Sequence, residues 1–273
     1  MCSAFLRTML LGLILAYTPA QARELRVCAD PNNLPFSNSK GEGFENKLVE
    51  LVAQEIGATI RYTWWAQRRG FLRNTLNAGI CDIVPGTPAN MEMLRTSAPY
   101  YRSTYVFVTR ADGPHITSLS DPILRDLRIG VQLIGDDGWN TPPAHALARR
   151  GIVGTLRGYT VYGDYAEPNP PARIIVAIAA GEIDVAVAWG PLAGYFAPRQ
   201  AKALRITPVR PQFDGPQLPM VFDISVGVRK ADETLRQEID AALARRRSDI
   251  DGLLANYGVP RVDPGFARRE GGK

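Results

Sequence analysis

The stretch Leu25–Phe44, LRVCADPNNLPFSNSKGEGF, decides the fold. Its first residues, Leu25 to Ala29, alternate in a way that predicts a β-strand. The DPNN segment that follows favours a tight turn, and the two glycines before Phe44 lead into a run of apolar residues at helical spacing. The order of strand, polar turn and helix start predicts the beginning of an α/β lobe with polar groups at the carboxyl end of its first strand.

This stretch directly follows a segment typical of an export signal. Arg7 precedes the apolar core Met9–Ala16, and Ala20-Gln21-Ala22 has the small-x-small pattern that signal peptidase cleaves. We therefore expect residues 1–22 to be a signal peptide and the protein to be periplasmic. The apolar core is too short for a permanent membrane helix, and no later run approaches about 18 apolar residues, so we expect no membrane insertion. A strand and polar turn behind such a leader suggest a periplasmic binding lobe.

Length and charge restrict the function classes. Residues 23–273 suffice for two compact lobes, although this length also allows one large domain. The full sequence has a net charge of +5, with arginine clusters at Arg68-Arg69, 245–247 and 268–269. We interpret the clusters as solvated helix faces or tail, with an acidic protein partner as the alternative. Export argues against nucleic acid as the partner.

The two cysteines beyond the leader are Cys28 and Cys81. An even number of cysteines in an oxidising compartment favours a disulfide between them. A metal site is the weaker interpretation, because the cysteines are far apart in sequence and only His115 and His145 could complete it. Closure of the loop would contribute about 4 kcal/mol to stability.

Strands and helices alternate along the first part of the chain. The pattern predicts strands at Leu25–Ala29, Thr59–Trp64, Asp82–Val84 and Tyr105–Thr109, with helices at 44–56 and Phe71–Ala78. Gly57 and Gly79 are predicted to stop the two helices, and Pro85-Gly86 to stop the third strand. This βαβαβ order implies a parallel sheet with helices on both faces.

The pattern begins again after Leu127. It predicts a strand at Arg128–Val131 and a helix that Thr141 caps, with Pro142 in its first turn. Residues 180–186, AGEIDVA, then repeat the order of residues 78–84, AGICDIV. Two similar lobes in tandem explain this repeat, but α–β turns in general favour glycine and aspartate, which is the alternative.

The end of the chain contains too little sequence for a third lobe. A strand at Phe222–Val228 is followed by predicted helices at Glu233–Arg247 and up to Tyr257-Gly258. We therefore predict an α/β fold with two lobes, each a mainly parallel sheet flanked by helices. The first lobe would comprise residues 23–110 and 218–273, and the second residues 111–217. The two crossing strands would form a hinge, and a ligand would lie between the lobes at the carboxyl ends of the strands.

Several long strings carry a resemblance to a known family. They are CADPNNLPFSN at 28–38, GEGFENKL at 41–48, TWWAQRRGFLRNTLNAGICDIV at 63–84 and APYYRSTYVFVTR at 98–110. Nearly all of the chain beyond the leader resembles the type II periplasmic solute-binding proteins. The strings are similar to their quinoprotein-dehydrogenase-associated branch, the MxaJ/XoxJ-type proteins found with periplasmic methanol dehydrogenases.

The resemblance implies an accessory role. The protein would bind, or help to mature, a methanol dehydrogenase that contains pyrroloquinoline quinone (PQQ), and the quinone would belong to the partner, so no cofactor is expected here. Relatives that bind amino acids carry an arginine nine residues before the proline of a Ser-x-Pro-Tyr segment, and it pairs with the ligand carboxylate. Ser97-Ala98-Pro99-Tyr100 places Asn90 at that position. An amide cannot supply the charge, although the nearby Arg95 and Arg102 leave the question open.

The candidate cleft residues follow the predicted strand ends or are aromatic and basic side chains near them. They are Asp30, Asn32, Asn33, Pro35, Phe36, Trp65, Arg69, Gly86, Thr87, Asn90, Tyr100, Arg102, Trp189 and Gly190. Turn formation alone is an equal explanation for the Asp-Pro-Asn-Asn segment. The aromatic residues could instead be buried in the core. Exposed beside arginines, they would resemble a protein interface.

Motifs of catalysis and metal binding are scarce. The sequence has no Gly-x-Ser-x-Gly elbow, phosphate loop, Cys-x-x-Cys or His-Glu-x-x-His. Asp136-Asp137-Gly138 lacks the alternating ligands of a calcium loop and is interpreted as a turn. We therefore predict neither catalytic residues nor a metal. Two alternatives to the accessory role remain: a transporter-linked receptor for a small polar solute, and a periplasmic dehydratase for prephenate or arogenate on the same fold.

Overall fold

The computed structural model describes residues 23–134, 140–161 and 165–262. The predicted signal peptide and the Asp136-Asp137-Gly138 segment lie outside these residues. Strands and helices alternate along most of the described chain, as the sequence pattern predicts.

The described residues form twelve strands, numbered in chain order. They are β1 (Arg23–Ala29), β2 (Asn32–Asn33), β3 (Ser37–Asn38), β4 (Ala58–Trp64), β5 (Ile83–Pro88), β6 (Arg95–Thr96), β7 (Tyr101–Arg110), β8 (Ile129–Leu133), β9 (Leu156–Thr160), β10 (Val185–Trp189), β11 (Leu204–Pro208) and β12 (Val221–Val228).

Seven α-helices connect these strands. They are α1 (Phe44–Glu55), α2 (Phe71–Asn74), α3 (Pro142–Arg149), α4 (Arg173–Ala180), α5 (Gly190–Phe196), α6 (Glu233–Arg245) and α7 (Arg247–Asn256). Short 3₁₀ helices occur at Pro122–Arg125, Pro170–Ala172 and Ala197–Arg199.

The strands pair in the order β4-β1-β5-β12-β7-β10-β8-β9. At one end β1 is parallel to β4 and β5, and at the other β8 is parallel to β9 and β10. Strands β7 and β12 lie between these parallel groups and pair antiparallel with their neighbours. The result is the predicted α/β fold with two lobes, each containing a mainly parallel sheet.

Strand β7 pairs with strands on both sides of the boundary between the two parallel groups. Tyr101 to Thr104 pair with β12, whereas Tyr105 to Arg110 pair with β10 and β11. One continuous strand therefore changes partners between Thr104 and Tyr105, as a hinge strand must. The lobe boundaries near residues 110 and 218 stay a prediction.

The two groups contain a repeated ion pair that supports the tandem-lobe interpretation. Arg26 donates from its backbone and guanidinium to Asp82 at 2.5–3.1 Å, and Arg128 contacts Asp184 in the same way at 2.6–2.9 Å. Each arginine also donates to a glycine carbonyl, that of Gly79 in the turn before β5 or that of Gly181 at the end of α4. The repeat therefore comprises a strand arginine as well as the glycine and aspartate seen in the sequence.

Three predicted boundaries were wrong by four residues, and the first of them is the start of β7, at Tyr101 rather than Tyr105. Helix α2 ends at Asn74 rather than Ala78, because the Thr75 backbone leaves the helical conformation, with φ −116° and ψ −84°, and the following turn is wider than an α-helix. Strand β5 continues through Pro85-Gly86 to Pro88. The register with β12 shifts there, so a residue without an N–H does not interrupt the pairing.

The predicted disulfide is confirmed. Cys28 on β1 is bonded to Cys81 just before β5, with their Cα atoms 5.6 Å apart. Both cysteines are fully buried in a small apolar cluster with Phe71 and Leu76. The bond therefore joins the end of β1 to the start of a neighbouring strand, next to the polar Asp30 loop.

Candidate functional site

A cavity of about 410 Å³ lies where several strands end. Asp30 follows β1, Gln132 lies near the end of β8, and Trp189 ends β10. The crossing strands β7 and β12 contribute Tyr105 and Phe222. The cavity is thus at the carboxyl ends of the parallel strands, where the sequence pattern places the ligand.

Asp30 organises the loop on one side of the cavity. Its carboxylate accepts hydrogen bonds from the backbone N–H groups of Asn32 at 2.9 Å and Gln67 at 2.8 Å. Its own carbonyl accepts from the Ser37 hydroxyl at 2.8 Å. Asp30 therefore has both predicted roles. It stabilises the turn through hydrogen bonds to the backbone, and it lines the cavity.

The neighbouring asparagines also bond within the protein. The Asn32 amide donates to the Glu167 carbonyl at 2.9 Å, and the Asn33 amide donates to Gln67 Oε1 at 3.1 Å. Both residues line the cavity. Much of the hydrogen-bonding capacity that the sequence offers to a polar ligand is therefore used to hold the loop in place.

Tyr165 joins the two sides of the cavity. It lies beyond β9, at one end of the sheet, and its hydroxyl donates to the Asp30 carboxylate, beside β1 near the other end. Burial and the hydrogen bond to Asp30 raise the pKa of Tyr165 well above its ordinary value, which keeps the donor proton in place. The Arg68 guanidinium stacks on the ring at 5.3 Å. With the bond from Asn32 to Glu167, we refer to these as the cross-cleft contacts.

Replacing Tyr165 by phenylalanine should favour an open cleft. The change removes a hydrogen bond to a charged acceptor, a loss of about 1.5–3 kcal/mol, so the ratio of closed to open molecules should fall at least about tenfold. Small-angle X-ray scattering should show a larger radius of gyration. Tyr159→Phe on β9 is the matched control and should leave the profile unchanged. Equal profiles for Tyr165→Phe and the wild type would contradict a closing role for this bond.

An aromatic group forms the inner wall of the cavity. The rings of Tyr105, Trp189 and Phe222 contact one another edge to face, with centroids 5.2–6.4 Å apart. The Trp189 N–H on the main chain donates to Gln132 Oε1 at 2.9 Å, which fixes the polar side chain beside it. Such a wall favours flat or apolar groups through burial and ring contacts.

Charge is sparse in the cavity. Among the described residues that line it, Asp30 is the single formally charged side chain, and arginine, lysine and histidine are absent. A free carboxylate placed here would meet an apolar wall and a negative charge without a paired cation, which is unfavourable. The site therefore lacks the anchor that an ordinary amino acid needs.

The structure brings together six of the predicted cleft residues, namely Asp30, Asn32, Asn33, Phe36, Gly86 and Trp189. Arg69 and Thr87 lie in a neighbouring groove, and Thr87 is buried, donating to the Ser225 carbonyl at 3.1 Å. Trp65 is 42% exposed and Asn90 is on an exposed turn with φ 60°, and neither lines the cavity. The ligand-binding roles stay predictions.

Tyr100 and Arg102 are also away from the cavity lining. Tyr100 is buried in the apolar core of the first parallel group. Arg102 pairs with Asp223 at 2.9 Å, and Arg95, the other arginine near the expected anchor, pairs with Glu233 at 2.9 Å. Neither arginine replaces the missing carboxylate anchor in this structure.

Several lining residues were missed from the sequence. Gln67 and Gln132 lie at or just beyond strand ends, so the rule that selected Asp30 could have found them. Tyr105 and Phe222 are on the crossing strands, where the change of strand partners exposes them to the cavity. Tyr165 lies in an irregular loop, and no sequence pattern marks it.

Below the cavity floor is a buried carboxyl group. Glu45, in the first turn of α1, is 7% exposed, and burial raises its pKa to about 8. A β-carbon on Gly86, a residue of the floor, would come within 2.2 Å of Glu45 Oε1. Gly86 also has a φ of 74°, which favours glycine, and the close approach leaves a protonatable group just behind the cavity.

Two kinds of site are absent from the described part of the chain. No cluster of three or more histidine, cysteine, aspartate or glutamate side chains suits a metal ion there. Within the same residues, no helix has the length and apolar character needed to span a membrane.

Comparison with known proteins defines the class. Residues 25–259 match the bacterial extracellular solute-binding proteins, family 3, and the chain belongs to this family. The fold and the position of the cavity between the lobes agree with that assignment.

Within this family, the chain is similar to a narrower set. It is 35% identical over 251 residues to Protein MoxJ of Methylorubrum extorquens, covering 88% of this chain and 82% of that protein. The crystal structure of the periplasmic binding protein XoxJ from Methylobacterium extorquens AM1 is 36% identical, with TM-score 0.71 over 88% of this chain and 99% of XoxJ. The crystal structure of MxaJ from Methlophaga aminisulfidivorans MPT is 25% identical, with TM-score 0.73 over 87% of this chain and 100% of MxaJ. The resemblance to MxaJ/XoxJ-type proteins is confirmed.

Proposed function

We propose that this protein is a periplasmic accessory factor that binds a PQQ-dependent methanol dehydrogenase and assists its maturation or activation. The observation that carries the proposal is the cavity: most of its lining side chains are aromatic or apolar, and the described residues that line it include no cation. Relatives of the MoxJ and XoxJ type supply the link to methanol oxidation.

The cavity suits a protein segment better than a polar metabolite. The polar side chains of the Asp30 loop are bonded to other parts of the chain, whereas the rings of Tyr105, Trp189 and Phe222 offer contact area. Apolar and aromatic contacts contribute most of the affinity at protein interfaces. An apolar side chain of the partner would enter the cavity, and the cross-cleft contacts would adjust around it.

The test is affinity capture from the periplasm of methanol-grown cells. The bait is the protein purified from the periplasm after export by its own leader, and retained proteins are identified by mass spectrometry. A quinoprotein dehydrogenase should be enriched above a bait-free control. If neither the mature nor the cofactor-free dehydrogenase is retained, the proposal is wrong.

A cavity variant should weaken the capture. Ile134 lines the cavity and is 42% exposed, so glutamate at this position should fold normally but place a second negative charge in the apolar site. We expect Ile134→Glu to reduce dehydrogenase capture about tenfold, because burying an unpaired carboxylate is costly. Val153→Glu is the matched control, since Val153 is 61% exposed and does not line the cavity. Equal capture by the two variants would place the interface elsewhere.

A transporter-linked receptor is the second candidate. The cavity volume of about 410 Å³ accommodates a small molecule, and Tyr165 can close over it. The lining restricts such a solute to a largely apolar or uncharged one. Unchanged scattering profiles across a ligand panel of this chemistry would count against the receptor. The dehydratase alternative needs a carboxylate anchor, so we expect no turnover of prephenate or arogenate.

A further inference from the structure

A second groove lies beside the cavity on the first parallel group. It has a volume of about 390 Å³ and runs between the turn that leads into α2 and the turn after β5. Arg68, Arg69 and Arg73 line one side, and Met91 and Met93 line the other. We call this the arginine groove.

The groove combines positive charge with accessible apolar surface. Its three arginines are all exposed, and Met93 is 51% exposed. None of the described residues that line the groove is acidic, although Glu92 is exposed on the same turn between the two methionines. A concave surface with these properties is complementary to carboxylates next to an apolar chain.

The groove adjoins the cavity. Gln67, Gly86 and Pro88 line both of them. An occupant can therefore extend from the apolar cavity, past the Gly86 floor, into the positively charged groove. This geometry fits an extended segment of polypeptide better than a compact solute, which would fill the cavity and leave the groove empty.

We infer that the arginine groove binds an acidic segment of a partner protein, one of whose apolar side chains enters the cavity; the inference rests on the proposed function. Arginine suits this role because its planar guanidinium pairs with carboxylates in two parallel hydrogen bonds. Methionine suits the opposite side because its flexible thioether adapts to different apolar partners. The cavity would thus bury the apolar side chain of the partner, and the arginine groove would favour partner segments that are acidic.

The test uses a library of randomised peptides, selected on the immobilised protein purified from the periplasm. Recovered sequences should be enriched in aspartate and glutamate beside an aromatic or aliphatic residue. The affinity of a selected peptide should fall about tenfold in the double variant Arg73→Glu/Met93→Glu, which reverses or adds charge on both sides of the groove. Added salt should also weaken binding.

Arg157→Glu is the matched control. Arg157 is exposed on β9 and lies outside both the groove and the cavity, so this charge reversal should leave the affinity unchanged. Selection of no peptides, or of peptides without acidic residues, would overturn the inference. So would equal losses in Arg157→Glu and the groove variant.

The same variants separate this inference from the proposed function. Selection of acidic peptides together with failed capture of any dehydrogenase would support the groove and reject the proposed partner. Capture of a dehydrogenase that Arg73→Glu/Met93→Glu leaves unchanged would support the partner and reject the groove as its binding site.

Discussion

Replacing Glu45 by glutamine should make the protein several kcal/mol more stable at pH 9 while leaving its stability at pH 5 nearly unchanged. Glu45 is buried in the first turn of α1, beside Gly86, and burial raises its pKa from the ordinary 4.5 to about 8. Charging the carboxyl group without a paired cation is therefore unfavourable in the folded state. Glutamine has a similar shape and cannot be charged.

The sign follows from proton binding. Between pH 4.5 and 8 the folded protein holds a proton on Glu45 that the unfolded chain has released, so the free energy of unfolding falls as the pH rises. The contribution of the protonated carboxyl is fully present below pH 4.5 and is lost as the pH passes about 8. The shift in the pKa of Glu45 corresponds to about 5 kcal/mol of stability.

The groups that face Glu45 do not neutralise its charge. Tyr62, Tyr100 and Tyr101 interact with it electrostatically, and burial, first of all, raises the pKa of each of these tyrosines. The three phenols are uncharged and supply no cation to pair with a carboxylate, so Glu45 stays mostly protonated at neutral pH. The tyrosines stay uncharged across the range of the experiment.

Urea denaturation at several pH values measures the effect. The difference in the free energy of unfolding between Glu45→Gln and the wild type isolates Glu45 from the other titrating groups. Glu50→Gln is the matched control, because Glu50 is on the same helix and forms an exposed pair with Lys47 at 2.9 Å. Loss of this exposed pair should change the free energy of unfolding by no more than about 0.5 kcal/mol. Parallel pH profiles for Glu45→Gln and the wild type would contradict the burial argument.

Most of the fold was predictable because it depends on local patterns. The strand at Leu25–Ala29, the helix from Phe44 and the helix that Pro142 starts all follow from apolar spacing and end signals, and the structure has them. The boundary errors arose where tertiary contacts decide. Helix α2 ends where the Thr75 backbone leaves the helical conformation, and the register between β5 and β12 shifts so that β5 can continue past Pro85.

The candidate site was less predictable, because long-range contacts assemble it. Asp30 and Trp189 follow strand ends, which a sequence pattern locates. Tyr165 is 135 positions from Asp30, and only the fold brings its hydroxyl to that carboxylate. The resemblance to a family could indicate a cleft, but the absence of a cation among the described lining residues and the adjacency of cavity and groove depend on where side chains point.

Removing the disulfide should lower the free energy of unfolding by about 4 kcal/mol. Cys28 and Cys81 are 53 positions apart, and opening a loop of this length returns about that much conformational freedom to the unfolded chain. Both cysteines are fully buried with Phe71 and Leu76, so alanine at both positions preserves an apolar environment. The double variant Cys28→Ala/Cys81→Ala should therefore fold but unfold at a lower urea concentration.

A comparison with the reduced wild type separates the effect of the covalent bond on stability from the effect of replacing the two cysteine side chains. With reductant present in the unfolding series, the wild type should lose most of its advantage over Cys28→Ala/Cys81→Ala, since both chains then lack the cross-link. Without reductant the difference should return. Equal denaturation midpoints for the oxidised wild type and the double variant would contradict the predicted stabilisation. Because Cys28 lies two residues before Asp30, the double variant should also be tested by small-angle X-ray scattering. An unchanged radius of gyration would show that the cross-cleft contacts hold the loop without the disulfide. A larger radius would show that the disulfide also positions Asp30 for Tyr165.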